Sequence, residues 1–428
     1  MLLSFECSYI LTYHDTVEPL LDNSTEVLPE PEEAAKKHSL LLKQRIQAAC
    51  SRNAGCIRFS EFMNIALYEP GLGYYSGGLQ KFGQKGDFIT APEVSALFGQ
   101  CLANQLSEVI QHFQEGSDEK GLDEKVYVLE FGAGSGVLAA DILQQLEKLG
   151  SLPEQYLILE LSAELKQRQK ETLKKNVPHL IKCVQWIDRL PDDVINAVVI
   201  ANEVLDAMPV ECFRVNRSES NKKVESLMVA MEDDDLVSRY LPADSRTEDV
   251  IASMQQRSEF EFSDNYKSEY NPAIHGWLSA LEHKIKNLVI LLIDYGYNEK
   301  EYYHPERATG TLMCYYQHRA HSDYFWWPGL QDITAFVNFT DVAYSAVDLG
   351  LDVSGYTTQA AFLLSCGLSE LHESQVTDDV QQQIKLSQQI KTLTLPSEMG
   401  ERFKVMALTK NYEKSLMGFA MLDLRNRL

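Results

Sequence analysis

The stretch VYVLEFGAGSGVLAADILQQLEKLG leaves little choice of fold. An apolar strand, Val126 to Leu129, ends on Glu130 and passes through a loop with glycine at Gly132, Gly134 and Gly136. A helix from Val137 to Leu149 follows at once, is stopped by Gly150, and leads to a second strand, Tyr156 to Leu159, that ends on Glu160. Leu138, Ile142, Leu146 and Leu149 give that helix one apolar stripe, as a helix lying on a sheet requires. Strand, glycine turn, helix and strand in this order make a βαβ unit. Its crossover is right-handed, its strands are parallel, and its ligand lies beyond their carboxyl ends.

The rhythm continues with a third strand near Ile181 to Trp186, a fourth at Ala197 to Ala201 and a fifth at Leu288 to Ile293. Their unbroken apolar character fits a Rossmann-like α/β sheet covered on both faces. Phe403 to Leu408 and the segment around Met417 to Met421 are expected to close the sheet as an antiparallel pair. A chain of 428 residues exceeds one ordinary core, so large additions are expected. The predicted order is an acidic arm and the start of a helix (1–45), a helical and loop cap (46–122), and the first half of the core (123–208). An insertion (209–286), the fifth strand (287–295), a helical excursion over the acceptor side (296–395) and the terminal strands (396–428) follow.

The chemistry lies at the strand ends. A dinucleotide fingerprint needs glycine at the third position after Gly134, where Val137 stands, and an acid two residues before the loop sits poorly beside a pyrophosphate. Glu130 suits instead the amino group of a methionine moiety whose sulfonium adds positive charge nearby, which points to S-adenosyl-L-methionine. Glu160, thirty residues on, can accept both ribose hydroxyl hydrogens. Asp188, after the third strand, either accepts from the adenine amino group or is a surface acid. After the fourth strand, ANEVLDAMPV sets Asn202, Glu203 and Asp206 at the edge where an acceptor should lie, Asn202 on the cofactor's side. Glu203 and Asp206, three apart, face one side of a turn and can hold an amine or a guanidinium. A guanidinium, with a pKa of about 13.8, needs carboxylates that draw its charge away from the attacking nitrogen. Asp206 is alternatively the cap of a turn. His318 is a candidate for shaping the acceptor pocket or handling a proton, and Asp332 reads as a helix N-cap before Ile333 or a pocket acid.

The formal net charge of -23 argues against a nucleic-acid backbone as ligand and is compatible with a basic protein partner. Eight cysteines include no C-x-x-C pair and no Cys/His cluster of zinc spacing, so neither a metal site nor a disulfide framework is expected. The first thirty-five residues carry eight acidic residues and no Lys or Arg, the reverse of a mitochondrial transit peptide, and Leu288 to Ile293 is too short to span a bilayer. A cytoplasmic protein without membrane insertion is the expectation.

FMNIALYEPGLGYY, GDFITAPEVSALFG, LEFGAGSG, ANEVLDAMPV, LLIDYGY, PGLQDIT and MGERFKVMAL resemble, in order and spacing, the MidA-like family of class I methyltransferases, from about Ile57 to the C-terminus. This resemblance implies a seven-stranded methyltransferase core with an N-terminal helical extension and helical insertions. It further implies transfer to an ω-nitrogen of a protein arginine, in the family's mitochondrial member on a subunit of respiratory complex I. Carried over by position, Gly86 and Asp87 look like part of a lid over the cofactor, with Thr90, also on the cofactor, and Glu93 beside them. Two other readings stay open, a small-molecule methyltransferase and a cofactor-binding assembly factor without catalysis.

Overall fold

The computed structural model describes residues 28–77, 90–115, 125–192, 194–218 and 221–428. The acidic arm up to residue 27 lies outside them, as do Gly86 and Asp87 of the expected lid. Seven strands form the backbone of the central sheet: strand 1 (Val126–Phe131), strand 2 (Gln155–Leu159), strand 3 (Val184–Ile187), strand 4 (Val194–Asn202), strand 5 (Ile285–Tyr297), strand 6 (Asp352–Thr358) and strand 7 (Phe403–Lys410). They lie in the order 3-2-1-4-5-7-6, and a two-residue strand, Val337–Asn338, adds an eighth beside strand 5. Strands 1 to 5 are parallel, and strand 7 runs antiparallel between strands 5 and 6. Chain order reverses between strands 1 and 4, so the glycine loop and the Asn202–Glu203 turn leave the sheet side by side. That is the place where open α/β sheets bind ligands.

Both faces of the sheet are covered, which is why its strands read as unbroken apolar runs. Val128, Ile200 and Leu291 meet Leu106, Leu138 and Ile142 from the helices Ala96–Glu115 and Val137–Lys148. Phe131, Val199 and Leu292 meet Leu278 and Phe339 from the helices Ile274–Lys284 and Phe339–Asp348. Leu288 to Ile293 has no exposed surface, and each such side chain contributes about 1.5–3 kcal/mol on burial.

Four expectations are corrected. The antiparallel partner of strand 7 is Asp352–Thr358, whereas Met417–Phe419 is a 3-10 turn whose Phe419 packs against Gly355. Strand 3 is shorter than expected, because Ile181–Cys183 is a 3-10 turn ahead of it. Leu149 lies off the buried stripe of its helix, at 40% exposure, where the helix has already ended. The additions are also less helical than expected. The insertion builds an antiparallel sheet from Glu211–Ser218, Asn221–Glu232, Asp235–Pro242 and Lys267–Tyr270, joined by Cys56–Arg58. The excursion opens with a three-stranded sheet, Met313–Tyr316, Arg319–His321 and Asp332–Thr334. Both sheets share an apolar cluster with the helices Glu33–Arg52 and Phe59–Tyr68, in which Leu42, Phe62, Val229, Cys314 and Ile333 are buried.

Candidate active site

The glycine loop holds backbone that other residues rarely adopt. Gly132, Gly134 and Gly136 have φ of +63°, +52° and +82°. A Cβ on Gly136 would meet Gln169 Cα at 3.0 Å, so glycine there permits close packing of two helices. A Cβ on Gly134 would meet nothing within 4 Å, so open space lies in front of the loop. Glu130 stands behind it at 2% exposure, accepting the Tyr156 hydroxyl at 2.8 Å. Burial pushes its carboxyl up to about 7, against the lowering effect of that hydrogen bond. A buried acid so poised gains from a neighbouring cation, which the amino group and sulfonium of a bound methionine moiety would supply. The open space, this acid and the buried, unpartnered Oδ1 of Asn202 fit S-adenosyl-L-methionine.

Glu160 closes strand 2 at 8% exposure, with Oε1 accepting the Ser162 amide at 2.9 Å and Oε2 accepting Gln169 Nε2 at 3.0 Å. Gln169 was not singled out by the sequence, yet it is fully buried and ties three strand ends together. Its Nε2 also donates to the Gly134 carbonyl at 3.1 Å, and its Oε1 accepts Trp186 Nε1 at 2.8 Å. Gln169 and Leu173 are the buried residues of an otherwise polar helix, Ala163–Asn176, and their spacing of four is the signal that marks its inner face. Glu160→Ala is expected to weaken binding of S-adenosyl-homocysteine by roughly 1–3 kcal/mol, through the lost acceptor and the released Gln169. Titration calorimetry checks this, and an unchanged dissociation constant in a folded variant removes Glu160 from the site.

At the carboxyl ends of strands 4 and 5, carboxylates converge. Glu203 follows strand 4 in the left-handed region at φ +51°, held by its amide donating to the Ile293 carbonyl at 2.9 Å. Such backbone is costly for a residue with a Cβ. Asn202 Nδ2 donates to Glu203 Oε1 at 3.2 Å, and the Ala91 amide also bonds this carboxylate. Desolvation, then repulsion from Asp206, pushes Glu203 up to about 8. Asp206 is 5% exposed, with Oδ2 accepting the Tyr295 hydroxyl and Oδ1 unpartnered. Burial holds Asp206 at about 6. The cap of the turn is Asp294, with no exposed surface, whose Oδ2 accepts the amides of Leu205 at 3.0 Å and Asp206 at 3.2 Å. Burial first, then Asp206 and Glu203, drives the Asp294 carboxyl well above the carboxylate range. Among the described residues none of these three acids pairs with Lys, Arg or His.

The remaining expected residues fall as follows. Thr90 is the N-cap residue of the helix Ala91–Val94, and Glu93 in that helix accepts the Ser135 hydroxyl, which ties this short segment to the glycine loop. Asp188 is exposed after strand 3. His318 is exposed in a two-residue hairpin turn, where it and Gln317 both have positive φ, and no contact links it to the carboxylates. Asp332 is not a helix cap. It opens the strand Asp332–Thr334 at 4% exposure, opposite Tyr315, and accepts the Tyr75 hydroxyl at 2.8 Å.

Comparison with known proteins decides the family. A family model of S-adenosyl-L-methionine-dependent methyltransferases matches residues 101–357. The chain belongs to that family. The methyltransferase is 37% identical to a Burkholderia thailandensis protein whose crystal structure holds S-adenosyl-homocysteine, with a TM-score of 0.85 over 94% of this chain and all of that one. It is 27% identical to a Caenorhabditis elegans protein named protein arginine methyltransferase NDUFAF7 homolog, mitochondrial, over 92% of each chain. The Rattus norvegicus protein named protein arginine methyltransferase NDUFAF7, mitochondrial, is also 27% identical, over 83% of this chain and 82% of its own. These relatives carry a mitochondrial designation, which overturns the cytoplasmic location expected from the acidic N-terminal residues. The enzyme uses S-adenosyl-L-methionine as its cofactor. No helix among the described residues is long and apolar enough to cross a membrane.

Proposed function

We propose that the methyltransferase acts on a protein arginine, at an ω-nitrogen. The observation that carries this reading is a set of acids, the buried Asp206 and Asp294 with the half-buried Glu203 beside them, without a basic partner among the described residues. Burying unpaired carboxylates is costly, and the cost falls when a cation enters. A guanidinium answers that need, and the relatives named as protein arginine methyltransferases support it.

S-adenosyl-L-methionine supplies the electrophilic methyl group; the chain's own residues hold the acceptor, exclude water and take up a proton. Methylation of a guanidinium nitrogen leaves a methylguanidinium, so one N–H proton must depart. Glu203, reached by the Ala91 amide on one side and Asn202 on the other, orients the acceptor and takes that proton. Asp206 is fixed by Tyr295 and keeps Oδ1 free for a second N–H.

The raised carboxyl of Glu203 gives the reaction a pH dependence. It is neutral below about 8 and ionised above, so kcat/KM should rise as pH increases through that value and then level. In Glu203→Gln the rising limb should disappear. Initial rates between about pH 6.5 and about pH 9.5 check this, and a flat wild-type profile would contradict the assignment of Glu203.

A further inference from the structure

We infer that Tyr68 and Tyr75 form the wall that selects a planar cation at the acceptor site, so that the acids attract either basic side chain and stacking distinguishes arginine from lysine. This rests on the reading of the acids as the acceptor site. It names residues upstream of 101–357, the segment matched by the family model, as the specificity-determining part of that site.

The pair is built by a tight turn. The helix Phe59–Tyr68 ends into EPGLG, where the Gly73 amide bonds the Glu69 carbonyl at 2.7 Å and the chain doubles back. A Cβ on Gly73 would meet the Leu67 carbonyl oxygen at 2.6 Å, so only glycine permits that return. The Tyr74 and Tyr75 amides then bond the carbonyls of Ala66 and Leu67 at 2.9 and 2.8 Å. The result is that Tyr75 stacks on Tyr68, with ring centroids 5.5 Å apart and planes at 21°.

Both rings are fixed at their hydroxyl ends to the carboxylate side of the site. Tyr75 donates to Asp332 at 2.8 Å, and Tyr68 donates to the carbonyl of Ala207, next to Asp206, at 2.8 Å. Asp206 has an oxygen without a partner while being 95% removed from solvent, and Tyr68 keeps 36% of its surface exposed. Tyr68 thus keeps exposed surface while it is anchored one residue from Asp206, whose charge acts on its hydroxyl. A guanidinium can lie flat on the ring while its N–H groups reach the acid, whereas an ammonium offers no plane to stack. Tyr315, paired with Asp332 in the same three-stranded sheet, feels the charges of Asp206 and Asp332.

The test uses the full chain saturated with S-adenosyl-homocysteine and two small probes, N-acetylarginine amide and N-acetyllysine amide, titrated by calorimetry. The wild type should bind the arginine probe about tenfold more tightly than the lysine probe. Tyr68→Ala and Tyr75→Ala should erase the preference while S-adenosyl-homocysteine affinity stays within about twofold. Tyr68→Phe, which keeps the ring and guards against misfolding, should retain it. Equal binding of the two probes by the wild type, or an intact preference in both alanine variants, overturns the inference. Glu203→Gln separates the readings: if it weakens both probes while the tyrosine variants change nothing, the acids hold the acceptor and only the stacking wall is wrong. If Glu203→Gln changes neither probe, the acceptor assignment itself fails.

Discussion

Gly134→Val should abolish binding of S-adenosyl-homocysteine. The position has φ +52°, which a β-branched residue adopts only with strain, and its Cβ would project into the open space before the loop. The loss should exceed about a hundredfold in affinity, since the side chain fills the ligand's volume as well as distorting the backbone. Calorimetry on a variant whose circular dichroism and melting match the wild type decides it. Binding at wild-type strength would mean that the cofactor lies elsewhere.

Glu203→Gln should separate catalysis from binding. The substitution keeps the shape and the Asn202 contact but removes the charge that orients the acceptor and takes up the proton. Affinity for S-adenosyl-homocysteine should stay near wild type, while methyl transfer falls roughly ten- to a thousandfold. If binding collapses with activity, Glu203 belongs to the cofactor side. If transfer is unchanged, the acceptor is held by other groups, with Asp206 first among them.

The half of the fold that carries the cofactor was legible because its signals are local. A parallel strand buried on both faces must be apolar throughout, and a glycine loop between strand and helix has few alternatives. The place of Glu160 at the end of strand 2 was legible from the strand alone. Strand 6 escaped because DVSGYTT is short of large apolar residues and carries a bulge between Val353 and Gly355. Its pairing with strand 7 is also non-local, so the apolar segment nearest in sequence, around Met417, drew the expectation instead. The insertion escaped because its antiparallel strands are exposed in part, and the acidic run Glu232 to Asp235 is the turn of a hairpin in which Asp233 takes φ +51°. At the site, Glu203 and Asp206 were legible as neighbours in one turn. Asp294, Tyr75 and Asp332 come from distant parts of the chain, two strands of different sheets and the turn after a helix, and only tertiary packing brings them near one another. Asp332 was misjudged as a cap because an acid before an apolar residue reads alike at a helix start and a strand start.

If these carboxylates present a protein arginine to the methyl donor, the methylated product carries the proof. The full chain is incubated with methyl-labelled S-adenosyl-L-methionine and lysate from cells lacking the protein, after which the macromolecular fraction is hydrolysed and its amino acids are separated. The account predicts label in ω-N-methylarginine from a discrete protein band, present with the wild type and lost with Glu203→Gln. Label confined to small molecules, or carried by a residue other than arginine, would contradict it.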